Sequence, residues 1–264
     1  MPALINVAEV SKVFHGGARS VTALDRVSFD IQAETFVSIV GPSGCGKSTL
    51  LKIISGLMPA SSGEVSVAGR RVDQPLGNVG MVFQAPVLLK WRSVLGNILL
   101  PVEFAKLDSA LYGETARALI KLVGLAGFED MFPHELSGGM QQRASLCRAL
   151  VTDPQLLLMD EPFGALDAMT RDDLDLELLR IWEERKKTVL FVTHGIQEAV
   201  FLSDVVFVMS ARPGRLLQTI AIDLPRPRTM ETLSTTKFGE YTLNIRALLA
   251  STGGASGSPV GSTM

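Results

Sequence analysis

Several things are scarce in this sequence, and each scarcity excludes a class of protein. Only two of the 264 residues are cysteine, Cys45 and Cys147. They lie inside other motifs, so a disulfide framework is excluded and a reduced, cytoplasmic setting fits. No apolar run approaches the roughly 18 residues that a membrane-spanning helix needs. The longest, such as LLLM and VVFVM, are strand-like pieces. The N-terminal MPALINVAEVSKVF has no basic start, apolar middle or small-residue cleavage site, so a secretory leader is not expected. There is no basic excess either. The formal net charge is -2 with both signs interspersed, which leaves no electrostatic footprint for nucleic acid. Internal repeats and sustained heptads are missing as well. Apolar residues are plentiful, at 47%, enough to bury a sizeable core in a chain of this length.

The apolar residues change texture along the chain. Before residue 36, INVAEVSKVF and VTALDRVSFDI mix short apolar and polar steps and predict antiparallel strands. FVSIV (36–40) is a short buried-type strand that leads into a glycine loop, and TLLKIISGLM reads as the helix after it. GEVSVAGRRV predicts a further hairpin and VGMVFQ a further strand. From about 87 to 150 the pattern turns helical, with Leu111, Ala116, Leu119, Ile120 and Val123 at helical spacing in SALYGETARALIKLVGL. LLLMD, TVLFVT and VVFVMS then lack alternation, as strands covered on both faces do. Between the first two, DDLDLELLRIWEERKK carries a stripe of Leu174, Leu178, Ile181 and Trp182, with acids at its start and bases at its end. The Gly/Ser-rich tail 251–264 has almost nothing to bury and is expected to be disordered.

GPSGCGKST fits G-x-x-x-x-G-K-[ST] at Gly41, Gly46, Lys47 and Ser48, between a strand and a helix as that motif requires. Such a loop wraps phosphates in backbone N–H groups and adds the positive end of a helix. Gly41, Pro42, Ser43, Gly44, Cys45, Gly46, Lys47, Ser48 and Thr49 are therefore the expected cradle for a nucleotide's phosphates. Lys47 should reach the β and γ phosphates, Ser48 should ligate Mg²⁺ and Thr49 should touch the α phosphate. Asp160 and Glu161 end the strand LLLMD, at the edge where α/β sheets bind ligands. Asp160 is placed to hold Mg²⁺ and Glu161 to polarise the attacking water. His194 ends another buried strand and could reach a γ phosphate, whereas His15 and His134 sit in loop-like surroundings. Gln84, at the end of MVFQ, could sense Mg²⁺ and the water, or be an ordinary strand terminus.

A second anion cradle follows. In LSGGMQQRASLCRAL, Ser137 is a plausible N-cap before Gly138 and Gly139, and Met140, Ala144, Cys147 and Val151 share one helix face. No second lysine-bearing loop accompanies it. The simplest use is to grip a γ phosphate held by another copy of the chain.

The ordered set GPSGCGKST, MVFQ, LSGGMQQR, LLLMDEP, GALD and TH resembles the nucleotide-binding subunit of an ABC transporter over roughly residues 4 to 225. The motifs are very specific as a set. The resemblance implies an α/β P-loop NTPase fold: a RecA-like parallel-sheet core, an antiparallel β subdomain and a helical insertion at about 87–150, all within 1–225. A C-terminal helical extension would occupy 226–250. It implies ATP hydrolysis with Mg²⁺ in a head-to-tail homodimer. Phe14 would stack on adenine, the alternative being a core phenylalanine. Ser137, Gly138 and Gly139 would contact the partner's ATP, and Asp167 would couple the two sites. APVLLKWRSVLGNILLP, after Gln84, would face a membrane permease, which a substrate-binding protein would serve indirectly. The subunit would lie peripherally on the cytoplasmic side of the inner membrane.

KWRSVLGNILLPVE, MSARPGR and LPRPR look like the importer ATPases of the nitrate, sulfonate and taurine group; related members serve thiamine precursors. Met140 replaces a common glutamine and removes the S-x-x-Q capping-box option. QAETF and THG also depart from the family's usual forms, without removing a phosphate or metal ligand, and Lys90 stands where a proline is expected before Trp91, a departure that bears on the fit to the permease. A P-loop kinase would leave LSGG and TH unexplained. A soluble ABC-type ATPase of DNA repair would need a long coiled coil.

Overall fold

The computed structural model describes residues 3–16, 19–164 and 166–253. Its centre is a six-stranded sheet in the order β10-β9-β3-β8-β7-β6. The strands are β3 (Phe36–Val40), β6 (Val79–Val82), β7 (Leu156–Asp160), β8 (Thr188–Thr193), β9 (Val205–Met209) and β10 (Leu216–Ala221). Five run parallel, and β10 pairs antiparallel with β9 at the edge.

The unbroken apolar strands acquire their meaning here. Successive side chains point to opposite faces, and each strand feeds two cores. Phe36, Val40, Leu157, Met159, Val189, Phe191, Val206 and Val208 enter one core, with the helices. Val37, Ile39, Leu156, Leu158, Leu190, Val192, Phe207 and Met209 enter the other. That second core also takes Leu50, Leu51, Ile53 and Ile54 of helix α1 (Lys47–Ile54) and the inner face of a four-stranded antiparallel sheet. The smaller sheet contains β1 (Ile5–Gly16), β2 (Arg19–Ile31), β4 (Ser62–Val67) and β5 (Arg70–Arg71), in the order β2-β1-β4-β5. Both hairpins expected from the sequence are therefore present, although His15 lies in β1 rather than in a loop.

Between β6 and β7 lie α2 (Val94–Ile98), α3 (Leu100–Phe104), α4 (Ser109–Leu122) and α5 (Gly138–Leu150). Asp108 caps α4 by accepting from the Ala110 N–H at 2.9 Å. Ala116, Leu119, Ile120 and Val123 are buried as the spacing predicts, but Leu111 is 65% exposed. It sits in the first turn, before the helix reaches its neighbours, so the apolar stripe begins later than the sequence suggests. Helix α6 (Ala168–Arg185) buries the whole stripe Leu174, Leu178, Ile181 and Trp182 and ends where Lys186 turns left-handed at φ 46°. Helix α7 (Ile196–Leu202) follows β8, and α8 (Thr236–Gly253) closes the described chain. Residues 251–253, expected in the tail, form the last turn of α8; the rest of that tail, 254–264, lies outside the described residues.

The LPRPR segment acts as a clamp. Arg226 donates to Asp204 Oδ1 at 2.8 Å and lies 4.2 Å from the Trp182 ring, a cation–π contact. Arg228 is buried and donates to the carbonyls of Val200, Phe201 and Ser203 at 3.2, 2.8 and 2.8 Å, satisfying the end of α7. Burial pushes its pKa down to about 10. Arg228→Ala leaves those carbonyls orphaned and should cost about 2–4 kcal/mol of unfolding free energy in urea titration. A loss within the error of the titration would show that the clamp is idle.

Candidate active site

Three strand ends meet at one level of the parallel sheet. Val40 of β3 pairs with Thr193 of β8, and Val192 pairs with Asp160 of β7. Directly after these positions come the glycine loop, His194 and Glu161.

The loop turns because two of its glycines adopt positive φ, 74° at Gly44 and 107° at Gly46. Gly46 also has no room: a Cβ there would meet Leu24 Cδ2 at 2.7 Å and the Ala23 carbonyl at 2.9 Å. Lys47, the first residue of α1, is buried with its ammonium donating to the carbonyls of Gly41 (2.8 Å) and Pro42 (3.2 Å). The Ser48 hydroxyl donates to Asp160 Oδ1 at 2.7 Å. Burial pushes the Asp160 carboxyl up from its ordinary range, partly offset by that hydroxyl. A hydroxyl and a half-buried carboxylate at this distance are hard oxygen donors of the kind Mg²⁺ uses beside phosphates, so the residues fit the metal.

Glu161 has a left-handed backbone, φ 45°, which is costly for a side chain of its size. It is held there by its N–H on the Val192 carbonyl (2.8 Å) and by the Gly164 N–H on its own carbonyl (3.1 Å). Its carboxylate lies 3.9 Å from Lys47 Nζ through Oε1 and 3.2 Å from His194 Nδ1 through Oε2. Strain at a carboxylate between a lysine and a histidine is the kind of feature that collects at active sites.

Phe14, Gly44, Gly46, Lys47, Ser48, Thr49 and Glu161 line one cavity of about 400 Å³. Phe14 is 41% exposed, so it is not a core phenylalanine. Gly41, Pro42, Ser43 and Cys45 form the loop behind it; Cys45 is buried, and burial raises its thiol pKa. Gln84 is not brought to this cavity. It lies exposed beyond the end of β6, whose Val82 pairs with Met159. Three lining residues escaped the sequence reading: Val21, Ala23 and Arg212. Val21 was recoverable, since it stands opposite Phe14 in the β1–β2 pairing. Arg212 was not, because 168 residues separate it from Gly44.

The second cradle faces elsewhere. Ser137, Gly138 and Gly139 do not line the cavity. Ser137 caps α5, accepting from the Met140 N–H at 3.3 Å. Met140 cannot accept from the Ser137 N–H as a glutamine would; Gln141 makes a different tie, its amide donating to the carbonyls of Pro133 (2.9 Å) and Leu136 (3.3 Å). Asp167 caps α6, accepting from Thr170 N–H and hydroxyl at 3.0 and 2.7 Å. Thr170 in turn lies against Gly139, where a Cβ would meet Thr170 Cγ2 at 2.9 Å. The starts of α5 and α6 thus share one surface.

A family model described as ABC transporter matches residues 24–164. The chain belongs to the ABC transporter family. This ABC subunit is an ATPase with the P-loop fold of its family. It is 48% identical over 240 residues to the taurine import ATP-binding protein TauB of Rhizobium johnstonii, covering 89% of this chain and 91% of the relative. It is 44% identical over 225 residues to an aliphatic sulfonates import ATP-binding protein, SsuB of Bacillus cereus, covering 85% and 88%. A dimeric ATP-binding cassette solved in a post-hydrolysis state with ADP and Pi superposes with TM-score 0.75 at 30% identity, over 84% of this chain and 100% of that one.

Behind His194 the ABC subunit carries an acidic pair on two helices. Glu198 of α7 accepts from the Thr193 hydroxyl, which also accepts from the Gly195 N–H at 2.8 Å, so the residues on both sides of His194 are fixed. Asp175 of α6 is buried, and its Oδ1 has no hydrogen-bond partner among the described residues. Burial, then the charges of Glu198 and Asp172, raise its pKa well above the ordinary value, against the opposing charge of Arg171. A carboxyl raised in the fold contributes stability that is full below its unfolded pKa and is lost as pH rises through its folded one. Asp175→Asn should therefore melt higher than the parent at about pH 8 and close to it at about pH 4. An equal margin at both would remove Asp175 from the pH response.

Proposed function

We propose that this subunit powers uptake of a small sulfonate of the taurine or alkanesulfonate class, as the peripheral ATPase of a membrane importer. The observation that carries the substrate class is the similarity to TauB and SsuB over most of each chain. Two copies would pair head to tail, each ATP lying between one cavity and the other copy's Ser137, Gly138 and Gly139. The separation of the two cradles on one chain supports this, as does the dimeric state of the ADP-bound relative.

ATP would stack its base on Phe14 and lay its phosphates along residues 41–49. Lys47 would exchange carbonyl partners for phosphate oxygens. Ser48 and Asp160, with Gln84 once its loop moves inward, would hold Mg²⁺, which when bound supplies charge neutralisation on those oxygens. Glu161 would orient the attacking water, with its carboxylate held by His194. Asp167, at the surface shared with the LSGG segment, would couple the two sites. Glu161→Gln keeps the shape and removes the charge that polarises water. It should lower ATP turnover at least about a hundredfold while keeping ATP binding, and it should accumulate an ATP-dependent dimer visible by size-exclusion chromatography. Turnover at the parent rate would sink this role for Glu161.

Among the described residues no helix is long and apolar enough to cross a membrane, so the permease would supply the membrane part and a substrate-binding protein would deliver the solute. An apolar groove of about 440 Å³ lies between β6 and α3, lined by Val87, Leu89, Leu100, Pro101 and Phe104 among others. Phe104 in this groove is 80% exposed, and Trp91, in the loop that runs on from Leu89, is 74% exposed. Such a patch suits a cytoplasmic helix of the permease. A strain lacking this subunit should fail to grow on taurine or an alkanesulfonate as sole sulfur source. Wild type should restore growth; Trp91→Ala/Phe104→Ala should not, while its purified ATPase stays intact. Unimpaired growth of the deletion strain on both sulfur sources overturns the substrate class.

A further inference from the structure

We propose that Arg212 is a nucleotide-contacting residue, a second cation beside Lys47 in the same cavity that binds the phosphate chain. The proposal rests on ATP occupying the cavity described above. Arg212 lines that cavity. Its Nε and Nη2 both donate to the Gly44 carbonyl, at 3.1 and 3.0 Å, in the middle of the glycine loop. Nη1 has no hydrogen-bond partner among the described residues and is left for a ligand. A guanidinium offers five N–H groups in a rigid fork, and phosphate oxygens are among its best acceptors.

The arginine is also held ready. It belongs to the turn Ser210–Arg215, which is fixed at several points. The Ser210 hydroxyl donates to Pro213 O and accepts from the Arg215 N–H, both at 2.9 Å. Gly214 exchanges backbone hydrogen bonds with β2, donating to Ala23 O at 2.9 Å and accepting from Asp25 N–H at 3.0 Å. A side chain at Gly214 is impossible without movement, because a Cβ would stand 2.1 Å from the Cys45 carbonyl. Arg215 closes the turn on Asp25 at 2.5 Å. The turn thus braces the glycine loop against β2, the strand that supplies Val21 and Ala23 to the same cavity. An arginine on such a brace loses little freedom on binding, so its charge–phosphate contact is retained as affinity.

Being exposed to solvent, the contact should be moderate in size and sensitive to salt. The test separates charge from bracing. Arg212→Gln keeps an amide that can serve the Gly44 carbonyl but removes the charge; Arg212→Lys keeps the charge but not the fork. By titration calorimetry with ATP and ADP, Arg212→Gln should weaken ATP about three- to tenfold and ADP less, and the deficit should shrink at high salt. It should raise KM more than it lowers kcat, with the melting temperature of the unliganded protein unchanged, and Arg212→Lys should recover most of the affinity. Unchanged ATP affinity in Arg212→Gln overturns the proposal. So does a loss that comes with a lower unliganded melting temperature and is not restored by lysine, since that marks a brace only. Lys47→Ala is run alongside: if it too binds ATP normally, the nucleotide lies elsewhere and the reading of the cavity itself has failed.

Discussion

The hydrogen bond from Ser48 to Asp160 joins residues 112 apart in the chain. It depends on the register of three parallel strands. β8 lies between β3 and β7, and its pairings bring Val40, Thr193 and Asp160 to within one residue of the same level. A slip of one residue in either pairing would turn a whole strand to the wrong face. Here both faces are buried in separate cores, so such a slip exchanges Phe36 with Val37 and Phe191 with Leu190, and neither core can absorb the change in shape. The cost of misregister is therefore paid in packing, far from the chemistry. What it secures is a lysine, a hydroxyl, two carboxylates and a histidine at one sheet edge.

A second constraint links the cradles to the groove. Helix α5 begins at the LSGG segment, and its side chains hold the chain on both sides of Gln84. Gln142 donates to the Phe83 carbonyl at 3.2 Å, and Arg148 donates to Pro86 and Val87 at 2.9 and 2.8 Å. The same chain, with its backbone at φ 46° at Val87, forms one wall of the apolar groove. Buried Asn97 makes four hydrogen bonds to Leu89, Arg92 and Ser93 and fixes the loop that carries Trp91. Rotation of α5 would have to drag Gln84 and the groove with it. If, as proposed, Ser137 grips a phosphate and a permease helix sits beside Phe104, this linkage is a physical route between them.

The legible parts of this molecule were those governed by short-range rules. Glycine spacing announced the loop at 41–49, and unbroken apolar runs announced strands covered on both faces. Helical spacing announced the buried stripe of α6. Illegible were the contacts that join distant segments. Arg212 and LPRPR carry no local sign of what they touch, since Gly44 and the end of α7 reach them only through the fold. The sheet order is likewise a long-range fact: β6 lies at one edge, away from β3 which precedes it. Leu111 misled for the opposite reason, as an apolar residue in register with a stripe that its neighbours do not extend to cover.

Met140 shows how a motif position and a physical role can part company. A glutamine at this place would close a capping box, reaching back to the residue that begins the helix, and its replacement by methionine looks like a loss. Yet the Met140 N–H is still capped by Ser137, and such a cap is worth about 1 kcal/mol. A different tether to the preceding turn comes from Gln141, which donates to the carbonyls of Pro133 and Leu136. The methionine side chain packs partly buried against the helical core, so apolar contact stands where a capping-box acceptor would be, and Gln141 anchors the helix start through other backbone groups. The geometry that the second cradle needs is an exposed serine and two glycines at a capped helix start, and that geometry does not depend on which of the next two residues holds the helix in place.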